Sequence, residues 1–165
     1  MNYKYTYESP LGTMVMLGTL SYLTDLFFID EAHAPSFDDM EYIEQVTGPF
    51  EVTIMWLDQY FNGKKPFITP PIQLEGTAFR KSVWSILLTI PYGNTTTYGE
   101  IGKQIAQQQG KEKFSAQAVG GAVGHNPISI IIPCHRVIGS NGKLTGYAGG
   151  IERKKYMLDL EAKHK

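Results

Sequence analysis

The sequence predicts a mixed α/β (α+β) fold in two units, a small N-terminal sheet with a helix and a mostly helical C-terminal unit. Apolar and polar residues alternate in three segments before residue 30, as in half-buried strands. Helix-capping residues and helical periodicity dominate after residue 76. Between these regions, residues 64–74 contain three prolines and are typical of an extended linker. We therefore expect one domain at residues 1–74 and a second at residues 75–165.

The N-terminal unit is predicted to contain three strands and one helix. The predicted strands are residues 3–7, 13–17 and 22–29, and Ser9-Pro10-Leu11-Gly12 forms the turn between the first two. Residues 30–47 are acidic and are expected to be irregular. A helix is predicted at residues 50–61, where Trp56 and Tyr60 lie on one apolar face, and Asn62-Gly63 ends it.

Helix-start signals divide the first part of the C-terminal unit into three helices, at residues 77 to about 90, 97 to about 108, and 115–123. Thr77, Thr97 and Ser115 are the predicted N-caps, since a hydroxyl there accepts a hydrogen bond from the first helical turn. Glu100 completes a capping box with Thr97, and Gly124 is expected to end the third helix. The second and third helices resemble the nucleic-acid-binding helix-turn-helix motif, a pattern that many helical pairs share.

The third of these helices is built almost entirely from small residues. Glycine lowers helix stability by up to about 1 kcal/mol relative to alanine, so its presence needs a reason. Two reasons compete: tight packing against a neighbouring element, and close approach of the helix to a ligand backbone such as DNA. From composition alone, tight packing is favoured. The small residues are Ala116, Ala118, Gly120, Gly121 and Ala122.

Charge is divided unevenly along the chain, although the net charge is only −1. Residues 1–74 contain three Lys and ten Asp or Glu, a balance of −7, whereas residues 75–165 contain twelve Lys or Arg and six acids, a balance of +6. This division suggests that only the C-terminal part meets a polyanion. A solvated surface that happens to be uneven would give the same numbers.

Several functional classes are excluded by composition. The chain has no apolar run near the roughly 20 residues that a membrane span requires, and no apolar secretory signal at its start. Its single cysteine cannot form an internal disulfide or a cysteine-rich metal site. We therefore expect a cytoplasmic protein with no membrane partner and no bound metal.

The segment around the single cysteine is the most informative part of the sequence. A β-branched run at residues 128–132 predicts a buried strand that ends at Pro133, which cannot donate a ladder hydrogen bond. Cys134 would then emerge from the core beside His135 and Arg136, whose positive potential would lower the thiol pKa from about 8.5. A lone cysteine beside an apolar run is nevertheless more often an inert core residue than a nucleophile.

The wider pattern decides between these interpretations. Pro133-Cys134-His135-Arg136-Val137 resembles the signature around the alkyl acceptor of the methylated-DNA–protein-cysteine methyltransferases (O6-alkylguanine-DNA alkyltransferases). Further blocks follow the family's order and span residues 76–161, whereas the N-terminal part matches loosely through residues 9–12. These blocks are Phe79, Val83-Trp84, residues 90–93, Thr97-Tyr98, residues 118–120, Asn126-Pro127 and residues 146–150.

The resemblance implies direct-reversal DNA repair on a ribonuclease H-like N-terminal unit and a helix-turn-helix C-terminal unit. The alkyl group of O6-alkylguanine in double-stranded DNA would move irreversibly to Cys134, once per molecule and without a cofactor. Because guanine O6 lies inside the duplex, the base would be flipped out from the minor groove, at a cost of a few kcal/mol. A monomer would suffice for this reaction.

Individual roles follow from the resemblance. Cys134 would accept the alkyl group, and His135, polarised by Glu161, would draw off the thiol proton through a water. Asn126 would hold the turn before the acceptor segment. Tyr98 would help to rotate the target nucleotide and donate a hydrogen bond to the departing guanine.

The resemblance also implies a guanine pocket and a DNA-contacting surface. Backbone groups of Val137, Tyr147 and Ala148 would line the pocket. The DNA-contacting residues would be Gln117, Ala118, Gly120 and Arg136.

Two positions depart from the family pattern. Gln117 occupies the place where an arginine commonly fills the gap left by the flipped base, and Arg80 stands where glutamine is usual. Gln117 can still hydrogen-bond the orphaned base but carries no charge. The single cysteine also leaves no N-terminal zinc site and argues against a fused adaptive-response regulator.

Three other functions fit the sequence less well. A non-catalytic protein that binds alkyl lesions and flags them for other repair pathways would replace the acceptor cysteine, whereas Cys134 is present. A cysteine hydrolase would need Cys134 to pair directly with His135, but neighbours on an extended segment point to opposite sides. A plain helix-turn-helix regulator would leave the signature around Cys134 unexplained.

Overall fold

The computed structural model describes residues 1–37 and 41–165. The N-terminal elements are β1 (Asn2–Ser9), β2 (Gly12–Gly18), β3 (Leu23–Phe28), β4 (Tyr42–Glu44) and α1 (Gly48–Phe61). They form a four-stranded sheet in the order β3-β2-β1-β4, covered by one helix. The C-terminal unit is mostly helical, which confirms the predicted fold class.

The three predicted strands and the turn between the first two are confirmed. β1 pairs with β2 and β2 with β3, both antiparallel. In the turn, Ser9 Oγ donates a hydrogen bond to the Gly12 carbonyl at 2.7 Å, and Gly12 has a φ of 119°, which favours glycine. The inner face of the sheet packs on α1, where Phe50, Leu57 and Tyr60 are fully buried.

The region predicted to be irregular contains a short strand. Residues 42–44 form β4, which pairs in parallel with the start of β1. Backbone pairing at a sheet edge, rather than an alternating pattern, defines a strand this short. The part of the prediction that falls on residues 38–40 lies outside the described residues.

The C-terminal unit contains the predicted helices with their predicted caps. Thr77, Thr97 and Ser115 each accept a hydrogen bond from the backbone N–H three residues later. The third helix includes Gly124, which was predicted to end it. The elements are α2 (Ala78–Leu87), β5 (Thr96–Thr97), α3 (Tyr98–Gln108), α4 (Ala116–Gly124), β6 (Val137–Ile138) and α5 (Ile151–His164).

Residues 128–132 are not a strand, so this prediction is wrong. Apart from a single bridge between Leu26 and Ile128, the run folds into tight turns, and Ile130 has a φ of 70°. Its backbone groups bond within the run, as in the 3.1 Å hydrogen bond from Ile132 N to the Ile128 carbonyl. The β-branched side chains reflect complete burial instead of strand pairing. Cys134 consequently begins a short 3-10 helix, Cys134–Arg136.

Within residues 1–37 and 41–165, no helix combines the length and apolar character that crossing a membrane requires.

Candidate active site

Cys134 lies buried at the start of the 3-10 helix, with 5% of its surface exposed. Asn126 holds it there: its amide Nδ2 donates to Cys134 Sγ at 3.1 Å and to the Ile132 carbonyl at 2.7 Å. Asn126 Oδ1 accepts from Ile128 N at 3.0 Å. One side chain thus ties both ends of the turn-rich segment together and fixes the sulfur. The structure brings Asn126 and Cys134 together as the resemblance implied.

The Cys134 thiol is protonated in the free protein at neutral pH. Burial raises its pKa to about 11, and the charge of Glu31 adds to this, against the hydrogen bond from Asn126 and the charge of Lys154. The expectation that His135 and Arg136 would lower the thiol pKa is therefore wrong. A thiol in this state needs a base to remove its proton when it reacts.

A buried network behind the thiol contains that base. His135 and Glu161 are 0% and 1% exposed, and His135 Nε2 lies 2.5 Å from Glu161 Oε2. Arg136 Nε donates to the other carboxylate oxygen, Oε1, at 2.7 Å. Gly93 N also donates to Oε1, at 3.1 Å. α5 delivers Glu161 and the 3-10 helix delivers His135 and Arg136, so the predicted His135–Glu161 pair is present.

The pKa shifts of Glu161 and His135 define which groups in this network are charged. Burial alone would raise the pKa of Glu161, but the hydrogen bond with His135 and the hydrogen bond and charge of Arg136 outweigh it and lower the pKa to about 2. Burial lowers the pKa of His135, against the opposing effect of Glu161. Glu161 is therefore an anion paired with Arg136, and His135 is neutral. We assign the His135 proton to Nε2, because that nitrogen faces the carboxylate.

This tautomer leaves His135 Nδ1 free to accept a proton. Nδ1 is buried and has no hydrogen-bond partner among the described residues. An unpaired buried acceptor is costly and commonly marks a functional group or a bound water. Because Cys134 Sγ is not a hydrogen-bond partner of His135 Nδ1, a water would have to carry the thiol proton to that nitrogen.

Tyr60 is part of this network, and sequence analysis missed it. Its hydroxyl donates to Glu161 Oε2 at 2.6 Å and lies 3.4 Å from His135 Nε2. The sequence placed Tyr60 on the apolar face of α1. A buried tyrosine hydroxyl needs a polar partner, and that requirement was the available signal.

The predicted DNA contact of Arg136 is wrong. Its side chain is 9% exposed and donates to Glu161 and, at 2.7 Å, to the Ile90 carbonyl. The guanidinium therefore balances the buried carboxylate. A basic residue beside a nucleophile looks the same in sequence whether it faces solvent or the core.

A cleft of about 480 Å³ is lined in part by Tyr147, a neighbour of the Cys134 sulfur. Of the predicted pocket residues, Tyr98, Tyr147 and Ala148 line it, and the Tyr98 hydroxyl donates to the Gly146 carbonyl at 3.3 Å. The pKa of Tyr147 is raised well above its usual value, first by burial and then by the nearby Cys134 sulfur. Val137 does not line the cleft: it is fully buried, and its carbonyl accepts a hydrogen bond from Lys154 Nζ.

The N-terminal unit contributes to the same cleft through residues that sequence analysis missed. Ala32 and His33 line it, and the His33 ring stacks on His125 with centroids 4.1 Å apart. Glu31 lies deeper, where its Oε1 accepts hydrogen bonds from Phe28 N at 2.8 Å and Ser129 Oγ at 3.3 Å. Nothing in the acidic pattern of residues 30–47 distinguished Glu31 from its solvated neighbours.

Glu31→Gln should stabilise the protein at alkaline pH. Burial raises the pKa of Glu31 from about 4.5 to about 7, so folding favours the neutral acid. That preference adds stability below pH 4.5 and is lost as the pH rises through 7. Glutamine keeps the hydrogen bonds without the charge, so the gain should reach about 3 kcal/mol at pH 8. It should vanish below pH 4.5.

Urea unfolding of both proteins from pH 4 to pH 8.5 measures this difference. Glu44→Gln, at an exposed position in the same unit, is the matched control. A gain that does not change with pH would contradict the buried charge at Glu31.

The exposed face of α4 lies next to the cleft. Gln117 and Ala118 are exposed, and Gly120 lines the cleft. A Cβ atom added to Gly120 or Gly121 would have no atom outside the helix backbone within 4 Å, so tight packing does not explain these two glycines. It does hold for Ala122, which is 1% exposed in the core. For the two glycines, close approach of a ligand backbone is the remaining interpretation.

No group of three or more His, Cys, Asp and Glu side chains able to hold a metal ion occurs within the described ranges.

Comparison with known families matches both units of the chain. Residues 2–74 match the family described as "6-O-methylguanine DNA methyltransferase, ribonuclease-like domain", and residues 78–163 match its "DNA binding domain". The chain belongs to the 6-O-methylguanine DNA methyltransferase family. This confirms the resemblance seen in the sequence around Cys134, and it extends the family match to the N-terminal unit.

Relatives in this family align along almost the whole chain. A "Methylated-DNA--protein-cysteine methyltransferase" of Mycobacterium bovis is 45% identical over 156 residues, covering 94% of this chain and 90% of the relative. A relative of the same name from Haemophilus influenzae is 40% identical over 164 residues, covering 95% of this chain and 85% of the relative. A crystal structure of Mycobacterium tuberculosis OGT in complex with DNA aligns with a TM-score of 0.84 and 42% identity. The alignment covers 98% of this chain and 94% of that structure.

Proposed function

We propose that this protein repairs DNA directly, by moving the alkyl group of O6-alkylguanine onto Cys134 in a single turnover. The observation that carries the proposal is the arrangement of Cys134, Asn126, His135 and Glu161 beside an open cleft in a chain of this family. The relatives' printed name, a methylated-DNA–protein-cysteine methyltransferase, describes the same reaction.

The chemistry balances without a cofactor. Cys134 Sγ forms a bond to the alkyl carbon as the bond from that carbon to guanine O6 breaks. The thiol proton passes to His135 Nδ1 through a water, and the guanine, which remains in the DNA strand, takes up a proton as its bond to the alkyl carbon breaks. His135 becomes an imidazolium only transiently, and Glu161 stabilises it in a site of low dielectric. The thioether has no good leaving group, so the protein reacts once.

The protonated state of the Cys134 thiol limits its reactivity in the free protein. Because its pKa is about 11, Cys134 is a poor nucleophile until a substrate fills the cleft. Filling the cleft with a base excludes water, which strengthens the hydrogen bonds that the departing guanine receives. Tyr98, which lines the cleft and donates to the Gly146 carbonyl in the free protein, would turn its hydroxyl to donate one of them.

We further propose that DNA binds the C-terminal unit, residues 75–165, with α4 in the minor groove. The flat face formed by Ala118, Gly120 and Gly121 allows close backbone approach, and the +6 balance of this unit suits a polyanion. The cleft beside this face would receive the flipped base. One chain contains every group named, so it would act as a monomer. The cytoplasm suits it, because Cys134 must remain a thiol.

Base analysis of a reacted duplex tests this function. Incubation of a known amount of protein with an excess of duplex should convert O6-methylguanine to guanine, one lesion per protein molecule, with no free base released. Liquid chromatography of the hydrolysed DNA measures the conversion. Lesion binding without conversion would instead indicate a non-catalytic lesion-binding protein, and more conversions than protein molecules would rule out the single turnover.

Gln117 is predicted to control base extrusion. It is exposed on α4, where it can reach the base left behind in the duplex. Gln117→Ala removes a neutral hydrogen bond of about 0.5–1.5 kcal/mol, so duplex repair should slow by up to about tenfold. Gln117→Arg adds charge and a stacking surface, so duplex repair should be as fast or faster.

Single-turnover rates with duplex and with free O6-benzylguanine separate the two steps, because a free base needs no flipping. Gln45→Ala, on the exposed surface of the N-terminal unit, is the control. If Gln117→Ala slowed both reactions equally, its role would lie in the active site or the fold.

A further inference from the structure

Arg153, on the first turn of α5, joins the two units next to the cleft. Its Nε donates to the Leu11 carbonyl at 2.9 Å, and its NH1 donates to the Gly149 carbonyl at 3.1 Å. The same NH1 lies 2.9 Å from Asp30 Oδ1, and the guanidinium stacks over the Phe28 ring at 4.2 Å. One planar side chain therefore contacts the β1–β2 turn, the end of β3 and the loop that precedes α5.

The loop held in this way, residues 145–150, presents Tyr147 and Ala148 to the cleft. It contains no helix or strand, and Gly150 has a φ of 95°. A loop with three glycines in six residues has little intrinsic rigidity, so its position depends on outside contacts.

A second contact from the N-terminal unit acts on the same loop. Ala32 N donates to the Ala148 carbonyl at 2.9 Å. Gly149 packs so closely on Phe28 that an added Cβ would lie 3.3 Å from that ring. Two neighbouring residues of the loop are thus fixed by the end of β3 and the residues after it, together with Arg153.

We infer that Arg153 is a positioning residue that uses the N-terminal unit to hold the alkylguanine-binding loop in its receptive shape. This inference rests on the proposed function, and it gives the N-terminal unit a part in substrate recognition. The contacts with backbone carbonyls and the Phe28 ring carry the effect. The Asp30 carboxylate is 67% exposed, so that ion pair contributes little.

The geometry requires arginine. A guanidinium offers several donors in one plane, which allows carbonyl bonds in two directions while its face covers an aromatic ring. Lysine has one donor group and would reach one carbonyl at a time. Arg153→Met keeps much of the side-chain length and removes every donor, whereas Arg153→Lys keeps the charge.

Reaction of the full-length protein with free O6-benzylguanine, over a range of concentrations, tests the inference. Arg153→Met should raise the half-saturating concentration about tenfold, as expected for one or two lost hydrogen bonds, with less than a twofold change in the maximal rate. The half-saturating concentration of Arg153→Lys should lie between those of the unmodified protein and Arg153→Met. Asp30→Asn should change little, and Lys155→Met, exposed on the same helix, is the matched control.

Two further measurements separate positioning from a general loss of structure. Alkylation of Cys134 by iodoacetamide needs no guanine contact with the loop, so Arg153→Met should not lower its rate by more than twofold. Hydrogen exchange at residues 145–150 should accelerate in Arg153→Met but not in Lys155→Met, whether or not the protein repairs DNA.

Unchanged half-saturation, or unchanged exchange in this loop, would overturn the inference. An equal loss of iodoacetamide reactivity would assign Arg153 a purely structural role and overturn it as well. Failure of the unmodified protein to demethylate a duplex would instead overturn the proposed function, and the exchange experiment would still decide whether Arg153 holds the loop.

Discussion

After reaction with a duplex containing one O6-methylguanine, each protein molecule should carry one additional methyl group, located on Cys134. Cys134→Ser and Cys134→Ala should carry none, because no other thiol exists in the chain and a serine hydroxyl is a far weaker nucleophile. Intact-protein mass spectrometry measures the added mass, and peptide mapping locates it.

Binding separates this loss of chemistry from a loss of recognition. Cys134→Ser should still bind methylated duplex, since Asn126 can donate to a serine oxygen as it does to the sulfur. A methyl group on another residue, or several lesions repaired per molecule, would contradict the role assigned to Cys134. A Cys134→Ser protein that neither reacts nor binds would show that the substitution disturbs the cleft itself.

Local signals in the sequence were sufficient for most of the secondary structure. The caps Thr77, Thr97 and Ser115 were predictable because a capping hydrogen bond joins residues three apart in the chain. The hairpin at Ser9 and Gly12 was predictable for the same reason. Strand β4 was not, since only its pairing with distant β1 makes it a strand.

The buried run at residues 128–132 shows the limit of side-chain patterns. Its β-branched residues are typical of a strand, but they are also typical of any fully buried segment. Whether such a segment becomes a strand or a series of turns depends on whether a partner strand is available. Here it also depends on the Asn126 amide, which donates hydrogen bonds to backbone carbonyls inside the run. That hydrogen bonding belongs to the tertiary structure.

The candidate site was predictable only in its C-terminal half. The sequence motif and its resemblance to the family pointed to Cys134, His135 and Asn126, all within ten residues of one another. Tyr60 and Glu31 reach the site from the N-terminal unit, across 75 and 98 residues of chain to their partners. No spacing rule connects such residues, and their partners became evident only from the folded structure.

Glu161→Gln should lower both the free energy of unfolding and the rate of alkyl transfer. The carboxylate accepts hydrogen bonds from Arg136, Tyr60 and Gly93 and faces His135. Removing its charge leaves the buried Arg136 guanidinium unpaired, which typically destabilises a protein by about 3–5 kcal/mol. It also withdraws the anion that stabilises a protonated His135, so alkyl transfer should slow by about a hundredfold or more.

The pH dependence of the stability difference identifies the negative charge of Glu161 as its cause. The pKa of Glu161 falls from about 4.5 to about 2 on folding, so the carboxylate adds stability above pH 4.5 and that contribution is lost as the pH falls towards 2. The stability gap between the two proteins should be widest at neutral pH and close in acid, where a protonated Glu161 resembles glutamine. Urea unfolding from pH 2.5 to pH 7.5 measures this gap.

Glu152→Gln is the matched control, because this glutamate is exposed on the same helix. It should leave the unfolding curve within about 0.5 kcal/mol at every pH, as surface substitutions usually do. The kinetic effect should appear with free O6-benzylguanine as well as with duplex, since proton transfer from Cys134 is common to both reactions. If Glu161→Gln slowed the duplex reaction alone, the carboxylate would act on DNA binding, and the proton path through His135 would be wrong.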